Sequence, residues 1–165
     1  MTLLMLSLGC TSGGDGGGDS DGGMSQADAD GADMQVGAAG FEEHLTATID
    51  GAPFAAQLVA GNSHDGLLAF QSDQSQERQL FFTLPADVEP GTYDLSAEGD
   101  YIARYAELFE GAFPAESGTL VVDRIDRERN EISGTFEFVG AMDTFGEITR
   151  VEVTEGSFAV EFHVL

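Results

Sequence analysis

Three histidines, His44, His64 and His163, are the side chains of this chain best suited to proton transfer or metal binding near neutral pH. They form no HExxH or paired-His pattern, and no cysteine follows residue 40, so a zinc centre has no ligand set to draw on. His44 and His163 fall on the polar side of extended segments and read as solvated. His64 lies in Asn62-Ser63-His64-Asp65-Gly66. Sequence neighbours do not make a triad, because the partners must be brought together by the fold, so a turn is expected there. A Gly-x-Ser-x-Gly elbow is absent, as is a glycine loop opening a helix onto a phosphate. Asp123, Asp126, Glu128 and Glu131 interleave with Arg124, Arg127 and Arg129. They could offer a cation site, or surface pairs worth about 0–1 kcal/mol each. With 30 acids in the chain, paired carboxylates say nothing about glycoside hydrolysis. No catalytic residue, metal or cofactor is therefore expected. The one grouping that could bind a ligand is Tyr101, Arg104, Tyr105, Phe109 and Phe113, two phenols, a guanidinium and two rings around one loop. Packing into the core is the alternative for the same residues.

The elements that would position these groups are strands. From Phe41 the apolar residues recur with period two: Leu45, Ala47, Ile49, then Phe54, Ala56, Leu58, Ala60, then Leu80, Phe82, Leu84. Asp50-Gly51, Asn62 to Gly66 and Glu89-Pro90-Gly91-Thr92 carry turn chemistry. Tyr101 to Leu108 reads as a strand, with a short helix as the alternative. Ser117 to Ile125 and Glu131 to Val139 flank a polar loop and form a hairpin, with Ile132, Gly134, Phe136 and Phe138 on one face. Ile148 to Thr154 is a further strand, and Phe158, Val160, Phe162 and Val164 define the last. The pattern predicts an all-β domain of about nine to ten strands, either an antiparallel β-sandwich or a lipocalin-like β-barrel.

Charge is the strongest compositional signal. The 165 residues hold 30 acids, six Arg and no Lys. Asp15, Asp19, Asp21, Asp28, Asp30 and Asp33 precede residue 41. The other 24 acids share residues 41–165 with all six Arg, a net charge of −18. Nucleic acid and anionic lipid headgroups are poor partners on that ground, and no nucleic-acid partner is expected. Self-repulsion of this size is screened only at high ionic strength, where the Debye length falls to about 3 Å at 1 M, so the composition reads as halophilic. Residues 11–40, mostly Gly, Asp, Ser and Ala, lack the apolar side chains that offset ordering entropy and read as a disordered linker. As a coil, 30 such residues span roughly 30 Å. Asp19-Ser20-Asp21-Gly22 lacks the spacing and closing Glu of a calcium loop.

The chain's one cysteine stands after Leu3, Leu4, Met5, Leu6, Leu8 and Gly9. This segment resembles the tail of a bacterial lipoprotein signal, in which a small residue precedes a cysteine that receives a diacylglycerol. Gly9 matches the residue before the cut and Cys10 the lipidated position, so residues 1–10 read as the remnant of a signal peptide. Within residues 41–165, Ala47-Thr48-Ile49-Asp50-Gly51-Ala52-Pro53-Phe54, Gly91-Thr92-Tyr93, Ser117-Gly118-Thr119-Leu120, Ile132 to Phe138 and Thr154 to Phe158 follow one another in an order similar to that of an uncharacterised bacterial lipoprotein family. The resemblance implies a compact β domain behind an acylated, palmitate-bearing Cys10, exported and anchored in the lipid bilayer of the cell envelope, at the outer membrane or cell surface. It implies no activity. The expected function is that of a non-enzymatic, monomeric binding or structural domain, with an apolar-ligand carrier as the alternative.

Overall fold

The computed structural model describes residues 41–165; Cys10, the Gly/Asp linker and the Asp19 loop lie outside the described residues. All ten elements are strands: β1 His44–Ile49, β2 Ala52–Ala55, β3 Val59–His64, β4 Leu67–Ser72, β5 Arg78–Pro85, β6 Gly91–Leu95, β7 Ile102–Glu107, β8 Gly111–Asp126, β9 Glu131–Thr144 and β10 Glu147–Val164.

Two long strands change partners midway and make the corners of the fold. β8 pairs β7 through Gly111–Pro114 and β6 through Gly118–Val122. β10 pairs β1 over Val153–Ala159, then β3 over Phe162–Val164, the latter in parallel. β9 bridges β8 and β10 from Glu131 to Gly140, and pairs β10 alone beyond that. The hydrogen-bonded path β3-β4-β5-β7-β8-β9-β10 thereby returns to β3 and closes, while β1, β2 and β6 branch from it. Closure leaves no free edge on that path. The expectation of a sandwich or a barrel meets a structure with features of both: a closed ladder with two opposed layers. Bulges at Glu116, at Asp123 and at Thr154–Glu155 interrupt the long strands, which is how strands bend at such corners.

The interior is filled by rings. Phe70 stacks on Phe82 and on Phe158 with centroids 4.8 Å apart in each case, and Phe136 tilts against Phe82 at 4.6 Å. These phenylalanines come from β4, β5, β9 and β10, so they tie the two layers together. Four of the strand glycines face a phenylalanine in the ladder: Gly61 faces Phe70, Gly118 faces Phe138, Gly134 faces Phe158 and Gly156 faces Phe136. A Cβ on Gly156 would lie 2.4 Å from the Phe136 ring, so the missing side chain is where the ring sits. The pairing recovers burial that glycine alone cannot supply.

Three segments depart from the sequence reading. The turn expected over Asn62 to Gly66 is strand as far as His64; only Asp65 and Gly66 turn, both with positive φ (51° and 78°) as a two-residue hairpin requires. The single strand expected from Phe54 to Ala60 is split, because β2 pairs β1 whereas β3 pairs β4 and β10. The two strands expected after Ile148 are one, since Thr154 and Glu155, the latter at φ 52°, form a bulge after which Gly156 rejoins the ladder.

The register also sorts what faces outward. From the layer β3-β4-β5-β7 it turns out Ala60, Asn62 and His64, then Leu67, Ala69 and Gln71, then Gln79, Phe81, Thr83 and Pro85, then Ile102, Arg104 and Ala106. No carboxylate is among them. The outward face of β9 and β10 carries Glu137, Glu152 and Glu155.

Candidate functional site

The five sequence-derived candidates are distributed by strand alternation rather than gathered. Tyr105 and Phe113 face each other across β7 and β8, point inward and are buried, ring centroids 5.9 Å apart. The Tyr105 hydroxyl donates to Glu107 Oε2 at 2.8 Å, and burial pushes its phenol well above the ordinary tyrosine range. Arg104, one residue away, points outward, its guanidinium 4.4 Å from the centre of the Phe81 ring. Tyr101 stacks on Tyr93 at 4.1 Å, and burial there, with Tyr93 adding, raises its phenol too. Phe109 stands at the tip of the β7–β8 hairpin, 97% exposed. One alternation thus divides them between core and surface.

The charged hairpin forms structural pairs. Asp126 accepts from Arg124 at 2.9 Å and from the backbone N–H groups of Glu128 and Arg129 at 3.1 Å, which hold its carboxyl below the usual range. Arg127 donates to the carbonyls of Ala86 and Val88 at 2.7 and 2.6 Å, pinning the loop before β6. Among the described residues no group of three or more His, Cys, Asp or Glu is placed to hold a metal ion. His64 meets only its neighbour Asp65, at 3.0 Å.

Two features escaped the sequence reading. His44 Nε2 lies 3.0 Å from Ser157 Oγ, and its Nδ1 lies 3.2 Å from the Glu42 carbonyl. The pair can share a proton. Ser157, however, sits in mid-strand between Thr46 of β1 and Thr135 of β9, where the backbone N–H groups serve the ladders rather than a developing oxyanion. Only the β1–β10 register joins His44 to Ser157, so nothing local in the sequence marks them.

The second feature is at one end of the barrel. Beyond the Ala115–Gly140 pair, β8 runs back to Gly111 and β9 runs on to Thr144 side by side; a Cβ on Gly111 would touch the Met142 sulfur at 2.8 Å. The β7–β8 hairpin therefore meets the β9–β10 hairpin where Gly111 lies against Met142. Their tips carry Leu108 and Phe109 on one, Phe145 with Ile148 on the other, all exposed. Phe109 and Phe145 have φ of +73° and +55°, a region that bulky residues rarely adopt. Such strain costs about 1–3 kcal/mol at each site, and full exposure forgoes the burial a phenylalanine would gain. Glu107, Glu110, Asp143 and Glu147 flank the two rings in sequence.

A domain of unknown function, DUF6252, matches residues 42–160. The chain belongs to this family. The DUF6252 region takes in everything from the start of β1 to Val160, and stops just before the Phe162–Val164 segment that closes the ladder on β3. Both hairpin tips and the carboxylate-free layer lie inside it. No curated protein matches the chain, and no solved structure does.

Proposed function

We propose that this DUF6252 domain is a non-enzymatic binding or structural module, held at the cell envelope by an acylated Cys10 and built for a salty medium. The observation that carries the reading is the pair of exposed phenylalanines, Phe109 and Phe145, at two hairpin tips. Burying one such side chain is worth roughly 1.5–3 kcal/mol, so a partner that covers both recovers more than the local strain.

Position supports the same reading. His44, where the chain enters the barrel, is paired with Ala159, and the Phe145 tip adjoins Glu147. At about 3.3 Å per residue these points lie roughly 40 Å apart along β10. Chain entry and the Phe145 tip thus fall toward opposite ends of β10. The acids flanking them favour a partner whose apolar cleft is rimmed by Lys or Arg. The carrier reading draws less support, because an enclosed apolar cavity of at least about 300 Å³ is needed and stacked rings occupy the space between the layers.

A photo-crosslinking amino acid placed at Phe145 in the exported chain is expected to give one discrete protein adduct. Once purified, that protein should bind the wild-type chain and lose most of its affinity for Phe109→Ser. Absence of a discrete adduct, or unchanged binding by Phe109→Ser, would remove the tips as the binding element.

A further inference from the structure

We propose that the outer face of β3-β4-β5-β7 binds a carboxylate-bearing polysaccharide, a uronate chain, with Arg104 taking the carboxylate. This goes beyond the hairpin tips and rests on different residues.

The first argument is charge. A domain of net charge −18 leaves one strand layer without a single outward Asp or Glu, whereas its other layer carries several. An anionic group approaching the other layer meets strand carboxylates; the outward positions of these four strands offer none, and the Asp65 carboxylate at the β3–β4 turn is paired with His64 at 3.0 Å. The second argument is Arg104. Each of the other five arginines reaches an acceptor: Arg78 the Pro53 carbonyl, Arg124 and Arg129 Asp126, Arg127 the Ala86 and Val88 carbonyls, Arg150 Glu116. Arg104 is exposed, and its guanidinium has no acceptor among the described residues. The Phe81 ring, 4.4 Å away, holds the guanidinium over the sheet without using its donors. A planar guanidinium held this way matches a carboxylate with two parallel hydrogen bonds.

The third argument is what surrounds it. Arg104 shares a groove of about 240 Å³ with Asn62, Ala69, Gln71, Phe81 and Thr83. Two amides and a hydroxyl offer donors and acceptors together, which suits a chain of hydroxyl groups. An extended peptide would need a free strand edge or apolar side-chain pockets; β3, β4, β5 and β7 are each paired on both sides. A second copy of the chain fits poorly. Four strands at about 4.8 Å spacing and some 20 Å long present roughly 400 Å², half of the about 800 Å² per partner of a standard interface.

The test uses the full chain with Cys10→Ser in about 1 M sodium chloride, where long-range repulsion is screened to about 3 Å. The probes are polygalacturonate and uncharged dextran. Polygalacturonate is expected to bind and dextran to bind far more weakly. Arg104→Gln should weaken the first by about tenfold, the ordinary loss for one charge-assisted pair. Gln71→Glu, which puts a carboxylate on the face, should weaken it at least as much. Phe109→Ser and Phe145→Ser should leave it unchanged, which separates this surface from the tips. Thermal midpoints within a degree or two of wild type show that the variants are folded. No binding to polygalacturonate, equal binding to dextran, or indifference to both face variants would overturn the proposal. So would a dimer in sedimentation that Gln71→Glu dissociates, since that would make a second copy the occupant.

Discussion

Phe82→Ala is expected to destabilise the domain by about 3–5 kcal/mol, the usual loss for an aromatic core truncation. Phe82 is 1% exposed and central to the ring stack: it contacts Phe70 at 4.8 Å, Phe136 at 4.6 Å and Phe138 at 6.4 Å. Those partners lie on β4 and β9, so removing the ring empties the seam between the two layers. The strands around it are pinned by a closed ladder and cannot collapse inward to refill the space, which places the effect at the upper part of the range. Total stability of a domain this size is about 5–15 kcal/mol, so the loss is a large fraction of the whole. Denaturant unfolding in molar salt measures the loss. A value under about 1.5 kcal/mol, the level of a tolerated volume change, would mean that the rings do not form one seam.

Gly134→Ala is the second large effect, and it reverses the usual expectation that alanine is harmless. Gly134 is buried on β9, opposite Phe158. An added Cβ would lie 1.9 Å from the Val121 carbonyl oxygen and 2.9 Å from the tip of the Phe158 ring. A side chain can swing aside, but the carbonyl belongs to the β8–β9 ladder and moves only if the strands part. A cost of about 3 kcal/mol follows, at the top of the range for overpacking. Gly66→Ala provides the contrast. Nothing lies within 4 Å of its Cβ position, and only its φ of +78° resists substitution. That penalty is about 1–2 kcal/mol. If both variants lose the same amount, the glycine–phenylalanine pairing is not what Gly134 is for.

Strand content was legible because alternation is local. Leu80, Phe82 and Leu84, or Ile132, Phe136 and Phe138, declare their inward face in any window of a few residues, and the structure buries all six. Partner choice was not legible. Whether Glu155-Gly156 ends a strand or bulges one depends on Phe136 of β9 lying across it, and that pairing is invisible from residues 148–165. The same limit governs the site. Tyr101 to Phe113 are close in sequence and aromatic, so they looked like one cluster, but alternation sends Tyr105 and Phe113 inward and Arg104 outward. The face whose outward strand positions lack a carboxylate is assembled from β3, β4, β5 and β7, and emerges only when their register is known. The tips carry the opposite lesson: Phe145-Gly146 occupies a two-residue turn where Asn or Asp is the ordinary choice, so a phenylalanine there contradicts local rules and folding alone does not account for it.

The proposed function places recognition outside a barrel whose interior is filled by stacked rings. Calorimetric titration of the full chain, Cys10→Ser, with palmitate tests this most directly. A filled interior predicts no saturable one-to-one binding. A stoichiometric complex of micromolar affinity or better that persists in Phe109→Ser and Phe145→Ser would place the ligand inside and contradict it.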